Sequence, residues 1–407
     1  MSRYNCIIIG GGASGFFFAI NYAENHPDHS VLILEKSKNV LQKVKISGGG
    51  RCNVTHAEFE PRPLTLNYPR GEKELIGPFH TFMTGDMMAW LEERGVELKI
   101  EEDGRIFPVT DSSQTIIECF INETKRLGIE VKNSENVLGF VHEKDLWNIQ
   151  TKNNSYSSEQ LVVATGSSKK IWESLESLGH NIIKPVPSLF TFNIDHPQLL
   201  KLQGLSLNTQ IKLYKDEVCK AFVMESEGAT LITHWGLSGP CVLKLSAWGA
   251  RKLEALDYHC HIMVNWIMNH TENEVIEEIQ LQRKISARKN IGNQTIFDLP
   301  KRLWLFILDE SRIDPKKNWA DLSRTESLDL KDNLLHFKLE VNGKSTFKEE
   351  FVTAGGVDLK DIDFKTYSSK IQPHLKIIGE ALNIDAITGG FNFQSAWTSG
   401  YLAAKSN

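Results

Sequence analysis

The chain has 407 residues, of which 41% are hydrophobic and 24% charged, with a formal net charge of −5. That length exceeds what one core usually serves, so two or three domains are expected. The charge gives no reason to expect nucleic acid or an anionic membrane as partner, and no apolar run approaches the roughly 20 residues that span a bilayer. The six cysteines at 6, 52, 119, 219, 241 and 260 contain no CxxC pair. They read as reduced thiols of a cytoplasmic protein rather than a disulfide framework. No His/Cys/Asp/Glu cluster has ligand spacing, so no metal is expected. The N-terminus passes straight into an apolar run, which leaves no room for a signal peptide.

The first predicted unit runs from Tyr4 to Lys36. Cys6 to Ile9 read as a strand that enters Gly10-Gly11-Gly12-Ala13-Ser14-Gly15, and a helical apolar pattern follows through Phe16–Ala23. His26-Pro27-Asp28 is a break, and Val31–Leu34 form a second strand ending on Glu35 and Lys36. Each part suits a dinucleotide. Gly10 permits the tight turn, Gly12 lets the backbone approach a pyrophosphate, and Gly15 allows helix and strand to pack closely. The helix start at Ala13 and Ser14 offers unpaired N–H groups to the phosphates. Glu35 can accept hydrogen bonds from ribose hydroxyls.

Beyond Lys43, the segment Ser47-Gly48-Gly49-Gly50-Arg51-Cys52-Asn53 reads as a ligand loop. Three successive glycines let the backbone wrap closely, while Arg51, Asn53 and Thr55 add directed donors. Residues 57–85 are expected to be irregular because Pro61, Pro63, Pro69 and Pro78 interrupt them. Asp86–Gly95 reads as a short helix and Ile100–Pro108 as a hairpin carrying Arg105. Ser112 is the expected N-cap of a helix to about Leu127. Val131, Val137–Val141 and Trp147–Gln150 suggest a small antiparallel set, and Leu161–Val163 a buried strand ending in the Ala164-Thr165-Gly166 turn.

From about Pro187 the pattern changes to alternation at Phe190–Ile194 and Thr209–Leu213. Thr233-His234-Trp235-Gly236-Leu237-Ser238-Gly239-Pro240 leads into a helix with Pro240 in its first turn. Tyr258–Trp266 alternates again, 271–290 and 297–312 read as helices, and 334–352 returns to alternation. Arg283, Lys284, Arg288 and Lys289 form a basic stretch without interleaved aromatics, which reads as a solvated helix face. Val352–Val357 is read as a glycine turn and Leu375–Glu380 as a strand ending in an acid. Thr388-Gly389-Gly390-Phe391-Asn392 then opens a final helix to about Ala404. Two glycine-led helix starts far apart in sequence suit a ligand with two electron-rich ends. FAD has a pyrophosphate at one end and the N1/C2 carbonyl of its isoalloxazine at the other.

The fingerprint, SGGGRCN, THWGLSGP, VTAGGV and GE…TGGFN occur in that order, and with them the chain resembles the BaiN-like, or aminoacetone-oxidase (YhiN-like), family of FAD-binding flavoproteins. The resemblance covers nearly the whole chain. It implies an α/β fold: a glutathione-reductase-like Rossmann FAD-binding domain with an inserted β-barrel-like domain and a helical subdomain. The ranges are 1–188 and 351–407 for the FAD-binding domain, 189–255 and 331–350 for the β-rich insert, and 256–330 for the helical subdomain. Carried over residue by residue, Gly10, Gly12, Gly15 and Glu35 match the fingerprint, Lys43 the lysine before SGGG, and Ser47–Asn53 the loop along the flavin. Ala164–Gly166 match the adenine-side turn, Gly379 and Glu380 the ribityl-side motif, and Gly389–Asn392 the flavin-ring end. The chain departs from the family at His56, Phe391 and Ser167, where Asn, Tyr and Gly are usual. His56 either adds a titratable imidazole near the flavin or replaces an amide at the surface.

The function this implies is an FAD-dependent oxidoreductase acting on a small organic substrate. Reduction of a conjugated alkene with electrons from NAD(P)H is one form, and amine oxidation with oxygen reoxidising the flavin is another. No second GxGxxG follows a strand, so NAD(P)H is expected only as a transient donor at the flavin face. His234 is the candidate acid or base from the insert, with a structural histidine as the alternative. Cys52 lacks a nearby partner thiol and reads as a small packed residue. A flavin-bearing RNA-binding or redox-sensing protein is the non-enzymatic alternative.

Overall fold

A computed structural model describes residues 2–345 and 352–406. Residues 346–351, with the end of the expected alternation and the expected boundary at 350/351, lie outside them. Residues 2–188 with 352–406 form one compact unit and residues 189–345 another.

The first unit is built on a nine-stranded sheet. Ser2–Ile9 lies in the middle of it, parallel to Val31–Leu34 on one side and to Ser155–Val163 on the other. Leu375–Ile377 adds in parallel to Ser155–Val163, and Glu130–Lys132 to Val31–Leu34. Val131 therefore belongs to the parallel sheet, not to the antiparallel set expected around it. That set is Val137–Glu143, Leu146–Thr151 and Ser155–Val163. The central strands are continuous apolar runs because both faces are covered. Cys6, Ile7 and Ile8 are fully buried, and burial of such a side chain contributes roughly 1.5–3 kcal/mol.

The helix Ala13–Asn25 buries Ser14 through Ala23 without a break. Gly400, inside the final helix Phe391–Lys405, lies against it: a Cβ there would fall 3.0 Å from the Ser14 carbonyl oxygen and 3.1 Å from the Phe18 nitrogen. The two helices thus meet backbone to backbone. Phe17 and Trp397 fill the space beside the contact, with ring centroids 5.5 Å apart.

Two expectations fail for local reasons. Residues 57–85 are not irregular, since they hold the helices Pro61–Thr65 and Glu72–Phe79. Pro61 opens its helix, where a missing N–H costs nothing, and Pro78 stands at the last turn of the other. Val352–Val357 is not a turn but a fully buried strand, antiparallel to Ile182–Ser188. Its glycines serve close approach, because a Cβ on Gly355 would fall 2.6 Å from the Pro185 Cα. The helices Lys169–Ser177 and Arg324–Leu335 were not anticipated.

The second unit has a seven-stranded antiparallel sheet, in the order Phe337–Asn342, His259–Asn265, Ser206–Tyr214, Phe222–Ile232, Gly236–Ser238, Thr191–Asn193, Lys344–Ser345. The described strands follow an open path. His259–Asn265, within the range assigned to the helical subdomain, is an inner strand of this sheet. The helix Pro240–Glu254 begins with Pro240 after Gly239, and Glu272–Ile285 starts from a capping box between Thr271 and Glu274.

Candidate functional site

The site of the first unit begins with sheet register. Ile9 is paired with Leu34 and with Val163, and Val163 with Ile377. Four strand ends therefore stand in one row, and the residues that follow them share one edge: Gly10, Glu35, Ala164–Gly166 and Gly379. The carboxyl edge of a parallel sheet is where doubly wound folds bind ligands. Two of the three fingerprint glycines are demanded by packing. A Cβ on Gly10, at φ +113°, would fall 2.4 Å from the Ala164 carbonyl oxygen, and one on Gly15 2.1 Å from the Gly10 carbonyl oxygen. Gly12 differs. Its backbone is extended at φ −94°, and a Cβ there would meet nothing within 4 Å. The protein itself does not require glycine at 12, whereas a ligand lying on that backbone would.

Glu35 closes the turn from the neighbouring strand. Its carboxylate accepts from the Gly11 N–H and the Ser37 N–H, both at 2.8 Å. A small cleft of about 60 Å³ opens beside it, lined by Gly10, Glu35, Lys36, Asn136, Thr165 and Ser168 among others. Four of the sequence-predicted residues thus surround one cleft at the adenosine end.

The ribityl-side residues also converge. The Lys43 ammonium pairs with the Glu380 carboxylate, and the Glu380 Oε2 lies 3.4 Å from where Gly166 would carry a Cβ. A Cβ on Gly379 would fall 2.5 Å from the Ser14 hydroxyl, and the Gly379 N–H donates to the Ser399 hydroxyl at 3.1 Å. The Trp172 indole, which donates to the Ala381 carbonyl at 2.9 Å, holds this turn from below.

The flavin end is assembled from residues more than three hundred apart. After the helical turn at Gln42, Gly48, Gly49 and Gly50 all take positive φ (58°, 69° and 86°), and Cys52 follows at 62°. Three left-handed residues in succession are tolerated by glycine and by little else. The loop then docks on the start of the final helix. Thr55 donates to Gln394 at 2.6 Å, the Trp397 indole to the Val54 carbonyl at 2.9 Å, and the His56 Nδ1 stands 3.1 Å from the Gly389 carbonyl. That carbonyl can only accept, so Nδ1 carries the proton. A Cβ on Gly390 (φ +96°) would fall 2.7 Å from the Thr55 carbonyl oxygen. Asn392 closes the preceding turn, its amide paired with both the N–H and the C=O of Ala386.

These residues fit an FAD. Among the described residues, no protein atom lies where a Cβ on Gly12, Gly49 or Gly50 would stand, and the buried Asn53 Oδ1 has no hydrogen-bond partner. Two helix starts would serve such a ligand, Ala13 the phosphates and Phe391 the ring. Nine residues of final helix separate Phe391 from Gly400, which touches Ser14, so the two starts are set roughly 14 Å apart along that helix. An extended dinucleotide spans such a distance.

Arg51 is not a free donor. Its guanidinium lies 3.9 Å over the Phe107 ring and pairs with Glu101 at 2.6 Å. Cys52 is fully buried, and burial pushes its thiol up to about 12, which keeps it protonated and inert at neutral pH. His234 lies in the second unit, exposed, edge-on to Trp235 in a turn between two strands. Sequence reasoning missed Gln394, Trp397, Thr398 and Ser399. Their signal was present: polar residues at i and i+4 on a helix that is otherwise small and apolar. No group of three or more metal-ligating side chains occurs among the described residues.

Residues 4–406 match the family model of the HI0933-like protein Rossmann domain. The ribosomal RNA dihydrouridine synthases of Haemophilus influenzae and Escherichia coli are 29% and 26% identical over 100% of this chain and 99% and 98% of their own. A 3-dehydro-bile acid delta(4,6)-reductase of Clostridium scindens is 24% identical over 98% of the chain and 97% of its own. Among solved structures, a 3-ketosteroid-delta4-(5alpha)-dehydrogenase of Rhodococcus jostii superposes with a TM-score of 0.52 at 12% identity, covering 100% of this chain and 97% of that one. That likeness is one of fold. The chain belongs to the HI0933-like family of Rossmann-fold, FAD-binding oxidoreductases.

Proposed function

We propose that this protein is an FAD-dependent reductase of carbon–carbon double bonds conjugated to a carbonyl, with NAD(P)H as the electron source. The observation that carries the reading is the chemistry common to its full-length relatives. A dihydrouridine is a pyrimidine saturated next to a ring carbonyl, and a delta(4,6) bile acid reductase saturates double bonds conjugated to a ketone. In both, two electrons and a proton reach one carbon and a second proton reaches its neighbour. The flavin supplies hydride chemistry when bound. The chain supplies the rest. The Gly10–Gly15 turn and Glu35 hold the adenosine and phosphates, the Gly48–Gly50 backbone runs along the ring, and the N–H groups at Phe391 stabilise negative charge at its carbonyl end.

A pyrimidine of ribosomal RNA is the substrate we place first, because the two relatives with that activity cover the chain completely. A small free enone is the contrasting substrate. It matches the expectation of a small-molecule partner that the acidic net charge suggested. Either substrate is consistent with a cytoplasmic protein.

Anaerobic bleaching of the purified yellow protein by NADPH, followed by addition of substrate, tests the reading. Ribosomal RNA from cells lacking this gene should restore the colour and gain two hydrogens at one pyrimidine by mass. Restoration by an unsaturated ketosteroid alone would move the substrate to the enone class. Bleaching only by amines, with recovery in oxygen, would replace the reductase with an oxidase.

A further inference from the structure

The second unit has a pocket that none of the flavin argument uses. It is an open depression of about 450 Å³ and lies where strand His259–Asn265 runs out into the turn at Trp266 to His270. Asn208 and Glu227 reach it from two adjacent antiparallel strands. Gln210 donates to one Glu227 oxygen at 2.8 Å, which fixes the carboxylate and leaves its other oxygen unclaimed. His270 and Phe297 bring two partly exposed rings, with centroids 4.5 Å apart, beside the buried Trp266. Asn269 adds an exposed amide.

Two features show that this arrangement is held against local preference. Phe297 and the next residue, Asp298, both have positive φ, +57° and +51°, a conformation that a bulky side chain rarely adopts. The Trp266 indole N–H is buried with no hydrogen-bond partner among the described residues. Strained backbone and unsatisfied polar groups concentrate where a structure serves a ligand rather than its own stability.

The lining selects among ligands. It contains no Lys or Arg among the described residues, so an isolated anion finds no counter-charge. A saturated hydrocarbon would bury the amides and carboxylate unpaired, which is unfavourable. A flat nitrogen heterocycle satisfies both halves of the pocket: its faces meet the rings, and its edge donors and acceptors meet Asn208, Asn269 and Glu227. We infer that this pocket binds a nucleobase. The base can come from an RNA strand or from a free nucleotide such as NAD(P)H. The site's use during catalysis rests on the reductase reading above, whereas base binding does not.

The test is calorimetric titration of the full-length oxidised protein with UMP, AMP, NADP+, which cannot reduce the flavin, and a short single-stranded RNA. Saturable binding of at least one probe is expected, weakened roughly tenfold or more by Asn269→Ala and by Phe297→Gly. The glycine variant removes the ring while relieving the positive φ, so it should fold and stay yellow. Variant-sensitive binding of RNA would assign the base to a strand, and variant-sensitive binding of NADP+ would assign it to the electron donor. Absence of saturation with every probe, or binding that ignores both substitutions, would overturn the inference. Since no turnover is measured, that failure would leave the alkene-reduction reading untouched, and failed reduction would leave base binding untouched.

Discussion

The two ends of the FAD site are made by different means. At the adenosine end, a single strand-turn-helix-strand unit of about thirty residues supplies nearly everything, and Gly10 and Gly15, though not Gly12, are enforced by contacts within that unit and with Ala164. At the flavin end, a loop of left-handed glycines meets the first turn of a helix more than three hundred residues later, and the join is made by side chains such as Thr55, Gln394 and Trp397. The first end is a local motif that sheet register merely aims. The second exists only after the chain has folded. Loss of FAD should therefore follow from fold damage at some positions and from ligand contact alone at others, and substitutions can tell these apart.

The largest effect is expected at Gly10 and Gly15. Val at either position forces a Cβ into a backbone carbonyl, so soluble yellow protein should be lost altogether, which expression and absorbance would show. Gly12→Val should separate the two causes. With open space above its Cα, the apoprotein should melt within a few degrees of the parent while FAD affinity falls roughly a hundredfold or more. A large drop in apoprotein melting temperature would show that position 12 is structural after all.

At the other end, Gly390→Ala places a Cβ 2.7 Å from the Thr55 carbonyl at a φ of +96°, and should weaken FAD by roughly tenfold through a displaced loop. Gly49→Ala, with positive φ but no described protein atom in its way, should cost the apoprotein only the backbone strain, about 1 kcal/mol of stability. Any loss of FAD beyond that would report the flavin lying on that backbone. Equal losses from the two would mean that the join between loop and helix contributes nothing.

Lys376 tests the anchor of the final helix. It is buried in strand Leu375–Ile377, and its ammonium donates to the carbonyls of Ala403 and Ser406 and to the Ser406 hydroxyl, each at 2.6 Å. Burial lowers it from 10.5 to about 8. Below pH 8 it is charged in both folded and unfolded chains, and the charge is buried at a cost. Between about 8 and 10.5 the unfolded chain binds more protons, so this group's contribution to stability rises with pH. Lys376→Met should thus gain most relative to the parent below pH 8, and the gain should shrink by up to about 3 kcal/mol by pH 10.5. Denaturant melts of both proteins across that range would show it, and a pH-independent difference would remove the buried ammonium from the account.

The smallest effect is expected from Cys52→Ala. With the thiol buried and protonated, turnover should stay within about threefold of the parent, because no step uses a thiolate. Loss of turnover at unchanged FAD content would reopen thiol chemistry.

Much of the architecture could be read from the chain. The strand-glycine-helix pattern marked the dinucleotide turn, Ser112 marked its helix cap, and glycines before Phe391 marked the final helix. These signals are local: a φ that only glycine tolerates, a hydroxyl that caps, an apolar period. Val352–Val357 misled because glycine in a buried strand and glycine in a turn look alike until the partner strand is known. Pro61 and Pro78 misled because a proline's effect depends on its place within a helix. The sequence by itself determined what each segment could become and that Gly10–Gly15 has the spacing of a dinucleotide turn. Tertiary structure alone decided that Ile9, Leu34, Val163 and Ile377 end in one row, that Arg51 turns to Glu101, and that Asn208, Trp266 and Phe297 share a pocket. Those facts depend on register and packing between segments far apart, and no residue carries that information by its own conformational preference.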